Sequence, residues 1–551
     1  MRRLFRRRRR PRAAAPPPTR PAGPPLSRDL DENVRAVTRA FGDSTDLVIR
    51  EIVAGAGWRP YPTSFAGPAA VRPRMAVAHF AGLVDDKLLS DNVLKPLVGL
   101  SLRQPAVEGG RPGDAARLAD PAALFDAAKN DAVTVTDLME VSDLPTALSR
   151  LAAGDALVLI DGHPVALACG VQGWAERPIE EPASESTVRG PREGFNESLG
   201  TNLALLRRHV QDPRLRFEKM LLGRLTHTAV VVAYIKGLVS PDLLAEVRSR
   251  LSRLDTDAVQ TTEYLEECIE DDPFSPFPQV FRTERPDRVI GSLLEGRVAI
   301  IADGTPFVLV VPATLAMFLR SVEDYYERPF IASFLGLIRF ASFFISLTLP
   351  ALYIAITTFH QELLPTPLIL SIAAQREGIP FPALVEALLL EFAFDVLREA
   401  GIRLPKVIGT TISIVGILVI GQAAVQAGLV SGFMVVIVAF TGLASYTTPL
   451  FSIGLSVRIL HYGVMLLAGF LGLFGIVIAM SALLIHLCCL RSFGHPYLEP
   501  FAPVVVADLK DTIVRAPWWA MDTRPALLAR HDRRRQKPGL RPRKPREGAA
   551  G

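Results

Sequence analysis

The chain has 551 residues, 49% of them apolar, and a mean hydropathy of +0.27, which sets it apart from an ordinary soluble protein of this size. Its 61 basic and 56 acidic residues leave a net charge of +5, and the basic excess gathers at the two ends. The four cysteines, Cys169, Cys268, Cys488 and Cys489, contain no CxxC pair, so their spacing points to neither zinc nor redox chemistry.

Residues 1–12 hold eight arginines, and Pro16-Pro17-Pro18 and Pro24-Pro25 follow where a signal peptide would have an apolar core. Residues 1–26 therefore read as a disordered, basic, Pro-rich tail, with the half that follows left in the cytoplasm. A second basic run begins at Arg533 and reaches Arg546. On a membrane protein, anionic lipid headgroups are a simpler partner for such tails than nucleic acid, and Lys and Arg mark the cytoplasmic side.

A short helical region covers 28–54, and a Gly/Pro-rich linker runs from Gly55 to about Pro73. An internal repeat then appears. Ala78-His79-Phe80-Ala81-Gly82-Leu83-Val84 is answered by Ala233-Tyr234-Ile235-Lys236-Gly237-Leu238-Val239. Each is an apolar strand, a glycine turn and the start of an amphipathic helix. A second signature also recurs: Leu157-Val158-Leu159-Ile160-Asp161-Gly162-His163-Pro164 and Ala299-Ile300-Ile301-Ala302-Asp303-Gly304-Thr305-Pro306. Asp-Gly between apolar runs is a strong hairpin signal. The N-terminal half thus reads as two related α/β subdomains within 27–178 and 229–330, joined by linker helices over 179–228. Their strand order is not readable. Within the linker, Arg189, Arg192 and Glu193 form a charged, glycine-broken segment, a candidate for partner or inter-subdomain contacts or a locally paired surface.

The apolar surplus lies after Phe330. Residues 331–490 read as a transmembrane domain with spans near 331–357, 407–428, 431–452 and 459–490, each reaching or nearly reaching the ~20 apolar residues a crossing needs. Small residues such as Gly416, Gly421, Ala423, Ala468 and Gly472 allow close helix contact. The stretch 362–402 reads as re-entrant or interfacial. Its helix carries Glu391, Asp395 and Glu399 on one face at i, i+4 and i+8, with Glu386 nearly opposite and Arg398 placed to pair with Asp395 at i+3. Repeated around a ring of subunits, that face makes stacked acidic rings, which favour cations. An amphipathic helix lying on the membrane surface has the same periodicity. His360 and Glu362 just past the first span read as an interfacial polar cluster. Residues 491–551 read as a basic cytosolic tail, which favours an even number of crossings with both ends inside.

The sequence has no P-loop, HExxH, GxSxG or GxGxxG, so neither an enzyme nor a cofactor is expected. Several longer motifs do form a recognisable set: Thr283-Glu284-Arg285-Pro286-Asp287, Leu294-Glu295-Gly296-Arg297, Glu323-Asp324-Tyr325-Tyr326-Glu327-Arg328, Tyr353-Ile354-Ala355-Ile356-Thr357-Thr358, Arg376-Glu377-Gly378-Ile379-Pro380-Phe381-Pro382 and Arg398-Glu399-Ala400-Gly401-Ile402-Arg403-Leu404-Pro405. Together they resemble the GerA-type spore germination receptor A-subunit family, over about residues 28–520. The resemblance implies a nutrient-responsive receptor in the inner membrane of the spore. It implies a homo-oligomeric ring, pentameric in the family, around a gated cation channel, working with a B-type membrane subunit and a C-type lipoprotein. The SpoVAF-like branch of the same family, an amplifying channel, is not separable on these residues. A secondary transporter and a non-conducting signalling scaffold are the alternatives from other classes.

Overall fold

The computed structural model describes residues 24–42, 44–53, 74–102, 120–173, 182, 185, 187, 189–403, 421–529 and 531–542. The basic N-terminal run, the linker at 55–73, Gly416 and most of the expected span at 407–428 lie outside the described residues. The chain divides into two compact units, residues 1–177 with 200–218 and residues 178–199 with 219–551.

In the first unit, helix α1 (Leu30–Phe41) leads into strands β1 (Leu47–Val53) and β2 (Arg74–Phe80). Helical turns follow, then β3 (Leu138–Val141), helix α2 (Leu144–Ala152), β4 (Ala156–Ile160) and β5 (Ala166–Cys169). The sheet order is β1-β2-β4-β5-β3, with antiparallel neighbours. Strand β4 is buried along its whole length because successive side chains enter different cores. Ala156, Val158 and Ile160 join Met75 and Val77 on one face. Leu157 and Leu159 join Ala76, Ala78 and Phe80 on the other, where α1 and α2 pack. Inside this unit the Arg207 guanidinium is fully buried and grips Asp46, with the shortest contact at 2.8 Å.

The same element order then recurs. Helix α3 (Leu199–His209) precedes β6 (Leu215–Leu222) and β7 (Thr228–Ile235). Helices α4 (Pro241–Ser252) and α5 (Thr262–Ile269), β8 (Phe281–Thr283), helix α6 (Pro286–Leu294), β9 (Val298–Ala302) and β10 (Val308–Val311) follow. The sheet order β6-β7-β9-β10-β8 matches that of the first sheet, position for position. Gly82 and Gly237 occupy equivalent left-handed turns (φ 82° and 88°), as do Gly162 and Gly304 (φ 81° and 87°). Even the helix caps are duplicated. Leu30 N–H donates to Asp161 Oδ1 at 3.2 Å, and Leu199 N–H donates to Asp303 Oδ1 at 3.1 Å. Next to them, Gly162 N–H reaches Arg28 O at 2.7 Å and Gly304 N–H reaches Glu197 O at 2.8 Å. Each Asp-Gly turn therefore closes a hairpin and also caps the helix that opens its own copy. One difference from the sequence reading is β6. It falls within the stretch read as linker helices, because it completes the second sheet.

The second unit continues into α7 (Pro329–Phe359), α8 (Thr366–Arg376), α9 (Ala383–Arg403), α10 (Gly432–Tyr446), α11 (Phe451–Leu471) and α12 (Leu473–Cys489). Among the described residues, two helices are long and apolar enough to cross a bilayer, Pro329–Phe359 and Ser452–Leu471, and two shorter apolar helices accompany them. The expected single span at 459–490 is two helices. Gly472 adopts φ 62°, which no right-handed helix accommodates, and the chain turns back there.

Residues 491–529 are not a free tail. Ser492 Oγ donates to Gln279 O at 2.7 Å and accepts from Ala313 N–H at 2.9 Å. Phe493 enters the core of the second sheet. Leu315 N–H donates to Tyr497 O at 2.9 Å, and Arg515 Nη1 donates to Glu327 O at 2.8 Å. The basic residues of the C-terminal region gather after residue 529, whereas within 491–529 four Lys or Arg are balanced by four Asp or Glu.

Candidate functional site

The acidic residues picked out in the sequence sit on α9, built from strong helix formers with no β-branched run (Ala383 to Arg403). The helix packs against α7, α10 and α11. Its carboxylates meet α11 across that contact. Asp395 accepts from the Tyr462 hydroxyl at 2.8 Å and lies 3.4 Å from Arg458 Nε. Glu391 is 3% exposed, and its Oε2 lies 3.8 Å from Nε2 of His461, itself 4% exposed. Arg398 does not take the expected i+3 partner. Its Nη2 donates to Ser445 Oγ on α10 at 3.2 Å, and its guanidinium lies over the rings of Phe394 and Tyr446 at 5.0 and 4.6 Å. Glu399 is exposed at the end of the same face.

Glu386 lies elsewhere on α9 and is fully buried. Both the backbone N–H and the hydroxyl of Ser431 donate to its Oε1 at 2.5 Å, and Arg376 Nε stands 3.9 Å from Oε2. Ser431 also caps α10, so one short segment holds a helix start and a carboxylate together.

At the other end of α7, His360 packs against the turn at Gly472, where an added Cβ would come within 2.8 Å of its ring. Glu362 is exposed in a single helical turn, Gln361–Leu363. Arg189 pairs with Glu327 at 3.3 Å, and Arg192 and Glu193 are also engaged. This segment belongs to the second unit and lines its surface, with Arg285 Nη2 donating to Pro191 O at 2.9 Å.

The sequence reading found one side of the α9 cluster and missed the other. Arg458, His461 and Tyr462 stand inside an apolar run, and an ionisable residue within a candidate span is itself a signal for a paired or functional site. What results is two carboxylates of α9 facing one guanidinium, a tyrosine hydroxyl and an imidazole of α11 within a packed helical layer. The Asp395–Arg458 pair is separated only if α9 moves against α11. Among the described residues no cluster of histidine, cysteine and carboxylate fits a metal ion.

Residues 35–527 match the family model described as Bacillus/Clostridium GerA spore germination protein. The chain is 42% identical to spore germination protein KA of Bacillus subtilis, over 94% of this chain and 90% of that one. It is 41% identical to a B. subtilis membrane protein, YfkQ, over 92% of both chains. Spore germination protein GerLA of Bacillus cereus is 38% identical, over 92% of this chain and 97% of that one. A crystal structure of the N-terminal domain of the A subunit of the Bacillus megaterium spore germinant receptor GerK3 covers 54% of this chain and 99% of its own, at 32% identity and a TM-score of 0.40.

Proposed function

Since the chain belongs to the GerA spore germination protein family, we propose that it is the membrane-embedded A-type subunit of a germinant receptor and forms a gated cation channel rather than an enzyme. The carrying observation is the charged α9–α11 contact. Carboxylates and guanidiniums are expensive at membrane depth unless paired, and Asp395 is paired with Arg458 across this contact. In the resting state the Asp395–Arg458 and Glu391–His461 contacts hold α9 shut against α11. Opening turns the acidic face of α9, with Glu391, Asp395 and Glu399, toward a water-filled path that favours cations.

Both ends of the helical region return to the second sheet. His486, near the end of α12, contacts Ser275 at 2.8 Å, and Arg339 near the start of α7 pairs with Asp324. This supports an even number of crossings, with the α/β half and the residues after Leu490 on the cytoplasmic side of the spore inner membrane. Anionic lipid meets the basic run from Arg533, and a ring of five copies works with a B-type membrane subunit and a C-type lipoprotein.

Planar-bilayer recording on purified protein tests the reading. Arg458→Gln frees Asp395 and should raise basal cation current several-fold, while Glu391→Lys should abolish cation preference. Wild-type conductance and selectivity in both variants sinks the pore assignment. Solute counter-transport without channel currents makes the chain a secondary transporter, and silence in both assays makes it a signalling scaffold. Opening without any B-type subunit assigns it the SpoVAF-like amplifying role.

A further inference from the structure

In the second unit, the loop between α5 and β8 carries Phe274, at 95% the most exposed large apolar side chain among the described residues. The loop around it is tied down. Asp272 Oδ1 accepts from Phe274 N–H at 3.2 Å, and Ser275 N–H donates to Asp272 O at 3.2 Å. Gln279 Oε1 accepts from the backbone N–H groups of Asp271 and Asp272 at 3.1 and 2.9 Å. Pro273 and Pro276 restrict the backbone on either side. The turn is therefore set before anything touches the ring. Phe277, three residues on, is buried instead, with its ring 6.4 Å from that of Tyr497.

This loop is joined to the end of an apolar helix. Ser275 Oγ and His486 Nε2 lie 2.8 Å apart, and the Phe277 and His486 rings are 6.1 Å apart. His486 is in the last turn of α12, and Leu484 and Ile485 just before it are exposed. Helix α12 has 17 residues, about 25 Å at 1.5 Å per residue, short of the roughly 30 Å of a hydrocarbon core. A span that is too short carries a free-energy cost for every ångström of mismatch. Phe274 adds apolar surface at the end where α12 stops. Charge does not draw the loop to lipid, since Glu270, Asp271 and Asp272 precede the ring and repel anionic headgroups. These carboxylates are engaged within the protein: Glu270 accepts from Gln279 N–H at 3.3 Å, and Asp271 pairs with Arg250. What the loop offers outward is the ring.

Given the membrane-embedded reading above, on which this inference rests, we propose that Phe274 inserts into the boundary between headgroups and acyl chains at the end of α12 and anchors the second α/β subdomain to the bilayer surface. Apolar groups at this boundary sit roughly 5–10 Å deep. The preset turn spares the ordering cost that a mobile loop would carry. Ser275 and Phe277 hold His486, so the anchor also sets the depth of α12. Leu225, 78% exposed in the hairpin between β6 and β7, provides the contrast. Val230, at the hairpin end of β7, pairs with Ala302 at the end of β9. Val311, beside the Ala313 that meets Ser492, pairs with Val298 at the start of β9. Leu225 therefore stands at the end of the sheet away from α12 and stays in water.

The test uses the full chain in phosphatidylcholine vesicles. Cys268→Ser, Cys488→Ser and Cys489→Ser remove the exposed thiols, and Cys169 is buried. A nitrobenzoxadiazole label is then placed at Phe274→Cys, Ile485→Cys or Leu225→Cys, all exposed positions where no packed side chain is lost. Quenching by phosphatidylcholine with a nitroxide high on its acyl chain is compared with quenching by aqueous iodide. Lipid quenching should exceed iodide quenching about threefold at 274 and 485, and the order should reverse at 225. With the label at Ile485→Cys, Phe274→Asp should lower the lipid-to-iodide ratio about twofold, because the native ring no longer holds the end of α12 at its depth. The proposal is overturned if position 274 behaves as 225 does, or if Phe274→Asp leaves the ratio at 485 unchanged. It is also overturned if the label at 274 is shielded from both quenchers, which would place a second copy of the chain over the ring. Lipid quenching at 485 without it at 274 removes the anchor and leaves the membrane reading standing. Iodide quenching at all three positions removes both.

Discussion

The two α/β copies share strand order, turn geometry and helix caps, yet they differ in how closely other residues surround those turns. In the first copy, a Cβ on Gly162 would meet Pro121 Cγ at 2.5 Å, and one on Gly82 would meet Gly200 O and the Ala204 methyl of α3, the helix that opens the second copy, at 3.3 Å. In the second, Gly304 has only Gln260 O at 4.0 Å, and Gly237 has nothing within 4 Å. Each core also accepts a residue from outside its own repeat, Ala204 of α3 in the first and Phe493 in the second. Duplication therefore preserved what the backbone requires, a left-handed residue after the aspartate or at the strand end. Packing density around it was free to diverge.

The sharpest way to break the comparison is Asp46→Ala. It leaves the buried Arg207 guanidinium without its carboxylate, at a cost of about 3–5 kcal/mol. Hydrogen exchange should show lost protection in α1, β1 and β2, while β7, β9 and β10 keep theirs. Equal loss in both sheets would mean that the copies unfold as one.

Gly162→Ala and Gly304→Ala come next. Both place a side chain in the left-handed region, costing about 1–2 kcal/mol. At position 162 the clash with Pro121 adds about 1–3 kcal/mol of overpacking. Unequal urea midpoints are expected, with the first copy more sensitive; equal ones would remove the density difference. Asp161→Ala and Asp303→Ala should instead cost the same, about 1 kcal/mol each, because both remove one equivalent helix cap. A large difference between them in chemical denaturation would show that the caps are not equivalent.

The smallest effect belongs to the second copy alone. Burial pushes the Glu266 carboxyl up to about 7 from an ordinary value of 4.5, partly opposed by Arg282. Between those values the unfolded chain has already released the proton that the folded chain keeps. Stability therefore falls as pH rises through the window. Glu266→Gln should flatten this dependence. At pH 8 the variant should be more stable than the unaltered chain by about 1 kcal/mol, reduced from the full shift because the side chain is partly solvated. Parallel urea midpoints for the two proteins at pH 5 and pH 8 would remove the assignment.

The duplication was legible because it rests on local requirements. Asp-Gly turns, glycine after an apolar strand and alternating apolar runs each carry their own signature at short range. The acidic face of α9 was legible for the same reason, as spacing on one helix. Its partners were not, since nothing within 383–403 indicates that Arg458 and Tyr462 will stand opposite Asp395. The single span read over 459–490 failed at Gly472. An apolar run has the same hydropathy whether or not a glycine turns it back, and the backbone angle that ends α11 is set by what packs there.

The amino-acid sequence by itself determined the two α/β copies, the apolar helices, the family motifs and the positions of the acidic residues, because periodicity, turn chemistry and motif spacing act over a few residues. Only the tertiary structure decided that β6 completes the second sheet, that residues 491–529 fold onto it, and that Asp395 of α9 stands against Arg458 and Tyr462 of α11. Each of those outcomes depends on contacts between residues far apart in the chain. Their free energy comes from burial and charge pairing across elements, which no local pattern encodes.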